Sequence, residues 1–126
     1  MKYELFTLCD GAFNYSGRLS IVGTYDNVAA KSLPWTVNLA FAMKLFVDKN
    51  EFGNKQITLC FLNPDKDPFA ADIHINVNIP STGSGGHIAF TSALSGVSFL
   101  SFGTHSILIK ENDEILKEFF FDVVQS

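Results

Sequence analysis

The chain has 126 residues, of which 47% are hydrophobic and only 17% are charged, so it is too apolar to be intrinsically disordered. Its net charge is −4 and Arg18 is its only arginine, which argues against a basic surface for nucleic acid. No apolar run reaches the roughly 18 residues of a membrane-spanning helix, and the N-terminus lacks a signal-peptide pattern. We therefore predict one domain over residues 1–126, located in the cytoplasm, that binds neither nucleic acid nor membrane.

Apolar and polar residues alternate along most of the chain, which is typical of half-buried β-strands. The sequence DIHINVNI at residues 72–79 puts an isoleucine or valine at every second position, and residues 36–47 repeat this pattern. Turn-forming residues separate the runs at short intervals, as in a sandwich or barrel. The predicted strands are residues 3–9, 18–29, 36–47, 55–62, 70–79, 87–98, 105–110 and 115–124. We predict that Leu39, Phe41, Leu59, Ile75 and Val77 are largely buried.

The C-terminal segment fits two structures. Apolar residues from Ile115 to Val124 recur at a spacing that also suits an amphipathic helix. Its phenylalanines and valines favour a strand, and Glu111-Asn112-Asp113 suits a hairpin turn before it. We predict the strand, and therefore an all-β fold: a single antiparallel β-sandwich, immunoglobulin-like or related, of seven to nine strands.

The histidines and cysteines do not suggest a metal site. His74, His87 and His105 do not occur in a pattern that brings two imidazoles onto one metal. Neither Cys9 nor Cys60 belongs to a CxxC pair, and we interpret both as buried, reduced thiols.

The segment 63–68 begins like a calcium loop, because Asn63, Asp65 and Asp67 place oxygen atoms at alternate positions. These three residues are the only metal candidates, but Pro68 stands where a calcium loop needs glycine, so we interpret the segment as a polar turn. The glycine-rich stretch 81–86 lacks the Lys-Ser/Thr ending of a phosphate loop, and we interpret it as a strand connection. We predict no catalytic residue, no cofactor and no required metal.

Both ends of the chain carry recognisable motifs. The opening ELFTLCDGA followed by GRLSIVGTYDNV resembles the start of a family of small uncharacterised bacterial β-sandwich proteins. Members of that family open with an LF-x-LCD strand and a G-[KR]-L-x-I-x-G-x-[FY]-D strand. The ending FGTHSILIKENDEILKEFFFDV resembles the closing hairpin of the same family. The resemblance implies a β-sandwich and a C-terminal strand, and it implies no activity.

Three functions from different classes remain open at this point. The first is a non-catalytic binding domain that docks a protein partner or a second copy of itself. The second is a small hydrolase or isomerase that uses loop carboxylates and a histidine, and the third is a carbohydrate-binding module built on Trp35 and nearby tyrosines. We favour the binding domain, with Phe46 and Phe120 on its interaction surface, because alternation puts both on outer faces of strands.

Overall fold

The computed structural model describes residues 1–81 and 83–126, and in this part of the chain the secondary structure is entirely β. The predicted all-β class is therefore confirmed, and the C-terminal segment is a strand rather than a helix. None of the described residues forms a helix that could cross a membrane. The strands are β1 Lys2–Tyr15, β2 Arg18–Tyr25, β3 Asn27–Ala30, β4 Trp35–Val47, β5 Gly53–Leu62, β6 Pro68–Ile79, β7 Gly86–Phe99, β8 Gly103–Glu111 and β9 Glu114–Gln125.

The strands form two sheets. The four-stranded sheet has the order β2-β1-β4-β7, and the five-stranded sheet has the order β3-β9-β8-β5-β6. All ladders are antiparallel except the one between β3 and β9, which is parallel and departs from the predicted arrangement. The predicted strand 18–29 is divided at Asp26, where the chain leaves one sheet and joins the other. This crossing lets Val28 pair with Val123 and bury its side chain in the core.

The core lies between the two sheets and takes side chains from both. Leu39 and Phe41 from one sheet and Leu59 from the other are buried, as predicted. Ile75 and Val77 also pack against this core, but they are less completely buried than Leu39 and Leu59. The reason is that β6 is the edge strand of its sheet, so one side of each residue has no neighbouring strand to cover it.

A histidine lies inside this core. The His105 side chain is 1% exposed and its ring packs against the rings of Phe69, Phe99 and Phe121, with centroids 5.3 to 5.5 Å away. Its Nδ1 donates a hydrogen bond to the main-chain carbonyl oxygen of Gly103 at 3.0 Å. Its Nε2 has no hydrogen-bond partner among the described residues. Burial lowers the pKa of His105 below its ordinary value of 6.5, so the buried ring is neutral at neutral pH.

The glycine-rich stretch predicted as a connection does join two strands, since it leads from β6 into β7. Thr82, in the middle of this stretch, lies outside the described residues. Gly85 has a φ of +82°, and a Cβ on it would lie 2.7 Å from the carbonyl oxygen of Val47. Glycine is required at this position by close packing against the neighbouring turn.

Candidate interaction surface

The histidines do not assemble a catalytic or metal site. His74 Nδ1 lies 3.1 Å from the hydroxyl of Thr58, and His87 Nδ1 lies 2.7 Å from a carboxylate oxygen of Glu4, at two separate exposed places. His105 is enclosed in the core. Across residues 1–81 and 83–126, no three His, Cys, Asp or Glu side chains are grouped to hold a metal ion. The three imidazoles thus lie at separate places and do not come together at one site.

The calcium candidates form a turn. The Asn63 side-chain oxygen accepts hydrogen bonds from the main-chain N–H groups of Asp65 and Asp67, both at 2.9 Å. The main-chain N–H of Asn63 in turn donates to the carbonyl oxygen of Asp67 at 2.8 Å. The oxygen that would have to bind a cation is therefore used to close the connection between β5 and β6.

Both cysteines are free thiols. Cys9 belongs to the four-stranded sheet and Cys60 to the five-stranded sheet. Burial raises the pKa of the Cys9 thiol, and burial together with the charge of Asp72 raises the pKa of the Cys60 thiol. A nucleophilic cysteine needs the opposite shift, so neither thiol is prepared for covalent catalysis.

The aromatic residues proposed for sugar stacking lie apart. Trp35 packs against the hydrophobic core and is only partly exposed. Tyr3 also packs against the core, and the Tyr25 hydroxyl donates a hydrogen bond to the Asp10 carboxylate. Tyr15, at the end of β1, is 79% exposed. These positions do not form a flat platform that a sugar ring could stack on.

Three residues of the two N-terminal motifs contact one another where β1 lies beside β2. Asp10 lies opposite Gly23, and its carboxylate accepts the hydrogen bond of Tyr25. This hydrogen bond, with burial and the Asp10 charge, raises the pKa of the Tyr25 hydroxyl. Gly23 has a φ of +67°, and a Cβ on it would collide with the Asp10 carboxylate. The Asp10, Gly23 and Tyr25 positions of the motifs therefore have a structural explanation within the chain itself.

The two phenylalanines predicted for the interaction surface lie on different sheets. Phe46 in β4 is partly buried, and its ring packs edge-on against the His87 ring, with the ring centroids 5.4 Å apart. Phe120 in β9 is 55% exposed, and the Lys66 ammonium lies 5.7 Å from the centre of its ring. The two side chains therefore do not form one continuous patch.

A more exposed apolar row lies on the hairpin of β1 and β2. Its members are Phe13, Tyr15 and Val22, which are 64%, 79% and 58% exposed. Phe13 and Tyr15 are two residues apart on one strand, so their side chains project from the same face. Val22 is paired with Gly11, which has no side chain, and Phe13 is therefore its diagonal neighbour across the ladder. The three side chains form one apolar surface, which we call the hairpin face.

The hairpin is held in a defined position. Ser16 and Gly17 both have positive φ angles, which make the tight two-residue turn between β1 and β2. The side-chain oxygen of Asn14 accepts a hydrogen bond from the Gly17 N–H at 2.9 Å. Its Nδ2 donates to the carbonyl oxygen of Ala89 in β7 at 3.0 Å. Since β4 lies between β1 and β7 in the sheet, the end of the hairpin bends back across β4 to make this bond.

Sequence reasoning missed the hairpin face because it ended the first strand at residue 9. The signal was present: Phe13 and Tyr15 alternate with polar residues up to Ser16 and Gly17, which favour a turn. The glycine at position 11 interrupts the apolar alternation and hid the continuation of the strand.

Comparison with solved structures finds weak likenesses. An immunoglobulin-like protein from Pseudomonas aeruginosa is 18% identical, with 97% of this chain and 94% of that chain covered and a TM-score of 0.46. The alkylpurine DNA glycosylase AlkC of Pseudomonas fluorescens is 10% identical, with 94% and 30% covered and a TM-score of 0.45. A β-glucosidase from Listeria innocua is 12% identical, with 97% and 16% covered and a TM-score of 0.47. Because all three TM-scores are below 0.5, these likenesses assign neither a fold family nor a function to this chain.

No curated protein matches the sequence. A family of unknown function, DUF6941, matches residues 4–124, which include the opening motifs, both sheets and the hairpin face. The prediction that the chain belongs to an uncharacterised family is confirmed. The protein is a member of the DUF6941 family.

Proposed function

We propose that this protein is a non-catalytic protein-interaction domain that binds another polypeptide through its hairpin face. The observation that carries the proposal is the exposure of Phe13, Tyr15 and Val22 side by side on a hairpin whose position is fixed by Asn14. Single exposed apolar residues are normal in proteins, whereas a contiguous apolar row marks an interaction site.

The energetics of the hairpin face support this role. Fully covering one phenylalanine stabilises a complex by about 1.5–3 kcal/mol relative to leaving it in water. Aromatic side chains dominate the binding energy of most interfaces, because they bury a large area at a low cost in conformational entropy. Phe13 and Tyr15 are aromatic, and Arg18 beside Tyr15 supplies the polar rim that such interfaces usually have.

The two phenylalanines predicted for the interaction surface support the proposal less well. Lys66, which lies over the Phe120 ring, also makes a salt bridge with Glu118 at 3.3 Å, so the surface around Phe120 already has intramolecular contacts. Phe46 is partly buried against His87. Both remain candidates for a secondary contact, since covering them would still remove apolar area from water.

Replacing Phe13 by serine tests the proposal. A photo-crosslinking amino acid at Ser20, which is opposite Phe13 in the ladder, captures the partner in cells, and the captured protein is identified and purified. We expect binding of the purified partner to weaken at least about tenfold with Phe13→Ser, since losing roughly 1.4 kcal/mol or more has that effect. Phe52→Ser is the matched control, because Phe52 is 61% exposed but lies in the connection between β4 and β5.

The same measurement locates the site. Equal affinities for Phe13→Ser and the unmodified protein would contradict the proposal. A loss with Phe120→Ser alone would move the interaction surface to β9. Circular dichroism of each variant establishes that the strands are intact before the affinities are compared.

We also propose that the protein works in a reducing compartment such as the cytoplasm. The support is that Cys9 and Cys60 are free thiols in strands of different sheets. Proteins of oxidising compartments usually place their cysteines where they can form disulfides. Mass spectrometry of the protein extracted with a thiol-trapping reagent tests this, and a disulfide between the two residues would contradict it.

A further inference from the structure

The edge strands of the two sheets differ in how far they are protected against pairing with another chain. An edge strand has a row of unpaired N–H and C=O groups, and proteins usually block it with short length, proline, charge or covering groups. In the part of the chain that the structure describes, the edges are β2 and β7 in one sheet and β3 and β6 in the other.

Three of the four edges carry such protection. β3 has only four residues. β6 begins at Pro68 and is followed by Pro80, and the charged Asp72 lies within it. On β7, the carbonyl oxygen of Ala89 is already bonded to Asn14 and the pairing with β4 shifts register near Gly96.

β2 has less protection, because its only charged residue is Arg18 at its first position and its one irregular residue is Gly23. Residues 19–25 contain no proline and no charged side chain, and the register of β2 with β1 does not shift between Arg18 and Tyr25, although Gly23 itself is not paired. Gly23, with its φ of +67°, is the irregular position. The strand has eight residues, which is long enough to support a second ladder.

We propose that β2 pairs with β2 of a second copy of this chain, antiparallel about a two-fold axis at Val22. The sheet then continues across the dimer. This inference is separate from the proposed function, because the edge of β2 pairs with a second copy while the hairpin face stays open to another polypeptide. It goes beyond the hairpin face because it assigns the main-chain edge, the direction of pairing and the register.

Charge determines the direction and the register. Arg18 at the start of β2 and Asp26 just after its end are exposed, and neither makes a salt bridge within residues 1–81 and 83–126. Antiparallel pairing centred on Val22 brings Arg18 of each copy toward Asp26 of the other, at the point where that chain leaves its sheet, and so sets two pairs of opposite charges at the ends of the ladder. Parallel pairing in register would instead place like charges together, and like charges directly opposite destabilise a ladder.

The main-chain groups also suit this arrangement. The two-residue turn at Ser16 and Gly17 makes Tyr15 and Arg18 a hydrogen-bonded pair. Because the N–H and C=O groups alternate sides along an extended strand, those of Leu19 and Ile21 point to the free edge. In the proposed register, these two residues face Tyr25 and Gly23 of the other copy.

Pairing of the edges also joins the two hairpin faces. Residues directly opposite in a ladder project from the same face, so the two Val22 side chains meet at the axis. Phe13 of each copy lies beside its own Val22. The dimer therefore carries one apolar band across the axis, which is twice as long as the hairpin face of one copy.

A cysteine at the axis tests the register. With Val22→Cys, the two thiols lie opposite each other in a non-hydrogen-bonded pair, where Cα atoms about 4.5 Å apart allow a disulfide. We expect mild oxidation to convert this variant to a covalent dimer of twice the 13.9 kDa chain mass. Ser20→Cys is the matched control, since its position faces Thr24 of the other copy and two such thiols would be about 13 Å apart. Peptide mapping assigns the disulfide to position 22.

A charge exchange tests the ends of the ladder. By light scattering across a concentration series, Arg18→Asp is expected to raise the dimer dissociation constant about tenfold or more, because Asp then faces Asp26 at both ends. The double variant Arg18→Asp with Asp26→Arg restores opposite charges and is expected to restore the dimer. Lys49→Asp changes the net charge equally at a remote exposed position, and its dissociation constant is expected to stay unchanged.

A monomer at every concentration, together with equal oxidation of Val22→Cys and Ser20→Cys, would overturn the dimer. A dimer that the double variant does not restore would overturn the register. In either case, loss of a different partner's binding with Phe13→Ser would leave the proposed function standing. The dimer can thus fail separately from the interaction domain.

Discussion

Acid titration of His105 gives the sharpest test of the core packing. The imidazole is 1% exposed, its Nε2 has no partner among the described residues, and three phenylalanine rings surround it. Burial lowers its pKa from the ordinary value of 6.5, although the Gly103 carbonyl and the charge of Asp122 act in the opposite direction. The unfolded chain therefore binds a proton on this ring at a higher pH than the folded protein does.

The sign and size of the effect follow from proton linkage. As the pH falls below 6.5, the unfolded state gains a proton that the folded state resists, so the free energy of unfolding decreases. Binding of one proton to the unfolded state lowers the free energy of unfolding by at most about 1.4 kcal/mol per pH unit. Between pH 6.5 and about pH 5 the loss is therefore at most about 2 kcal/mol. Burial also opposes the charged form of Glu51, but the Met1 ammonium outweighs it and holds the Glu51 pKa below 4.5. Its contribution is therefore lost only at a more acid pH.

Urea denaturation at a series of pH values between about 7.5 and 5 measures the slope of the free energy of unfolding against pH. We expect His105→Leu to remove most of the slope, because leucine fills the site without a group that titrates. His74→Gln is the control, since His74 is exposed and the slope should survive its replacement. The reasoning is refuted if the unmodified protein and His105→Leu lose stability in parallel as the pH falls.

Three further predictions concern stability. Leu39→Ala is expected to lower the free energy of unfolding by about 2–5 kcal/mol, because Leu39 is 5% exposed. Ile75→Ala is expected to lower it by clearly less, because Ile75 lies on an edge strand. Equal losses for the two variants in denaturant would contradict this burial pattern. Gly23→Ala is expected to lower the free energy of unfolding by more than about 1 kcal/mol, because Gly23 has a positive φ and a Cβ there would collide with Asp10. Gly11→Ala is the control, since a Cβ at Gly11 would have open space around it. A thermal melt in which Gly11→Ala is the less stable variant would contradict the contact between Asp10 and Gly23. Excess EDTA is expected to leave the melting temperature unchanged, and a drop reversed by calcium would revive a site in the turn between β5 and β6.

Local patterns were enough to predict the fold class. The alternation around Leu39 and Phe41 requires only that neighbouring side chains point to opposite faces, which is a property of any extended strand. The same reasoning, with the hairpin turn at Asn112, predicted β9 correctly. Family membership was also foreseeable, because the motifs at both ends of the chain are contiguous in sequence.

The degree of burial and the grouping of residues could not be obtained in this way. Ile75 follows the same alternation as Leu39, yet only strand order shows that it lies at an edge. Phe46 and Phe120 were both predicted to face outward, but whether they share a surface depends on which sheet each strand joins. The hairpin face likewise depends on the pairing of Val22 with Gly11.

The sequence alone determined which residues alternate, where the chain turns and which chemistries its residue types disfavour. Tertiary structure decided that β3 crosses to the second sheet, that Asp10 meets Gly23 and Tyr25, and that β2 lies at the edge of its sheet. The physical reason is that side-chain alternation arises within a few residues, whereas strand pairing joins segments far apart in the chain. Many pairings satisfy the same alternation, and the packing of the whole core selects one of them.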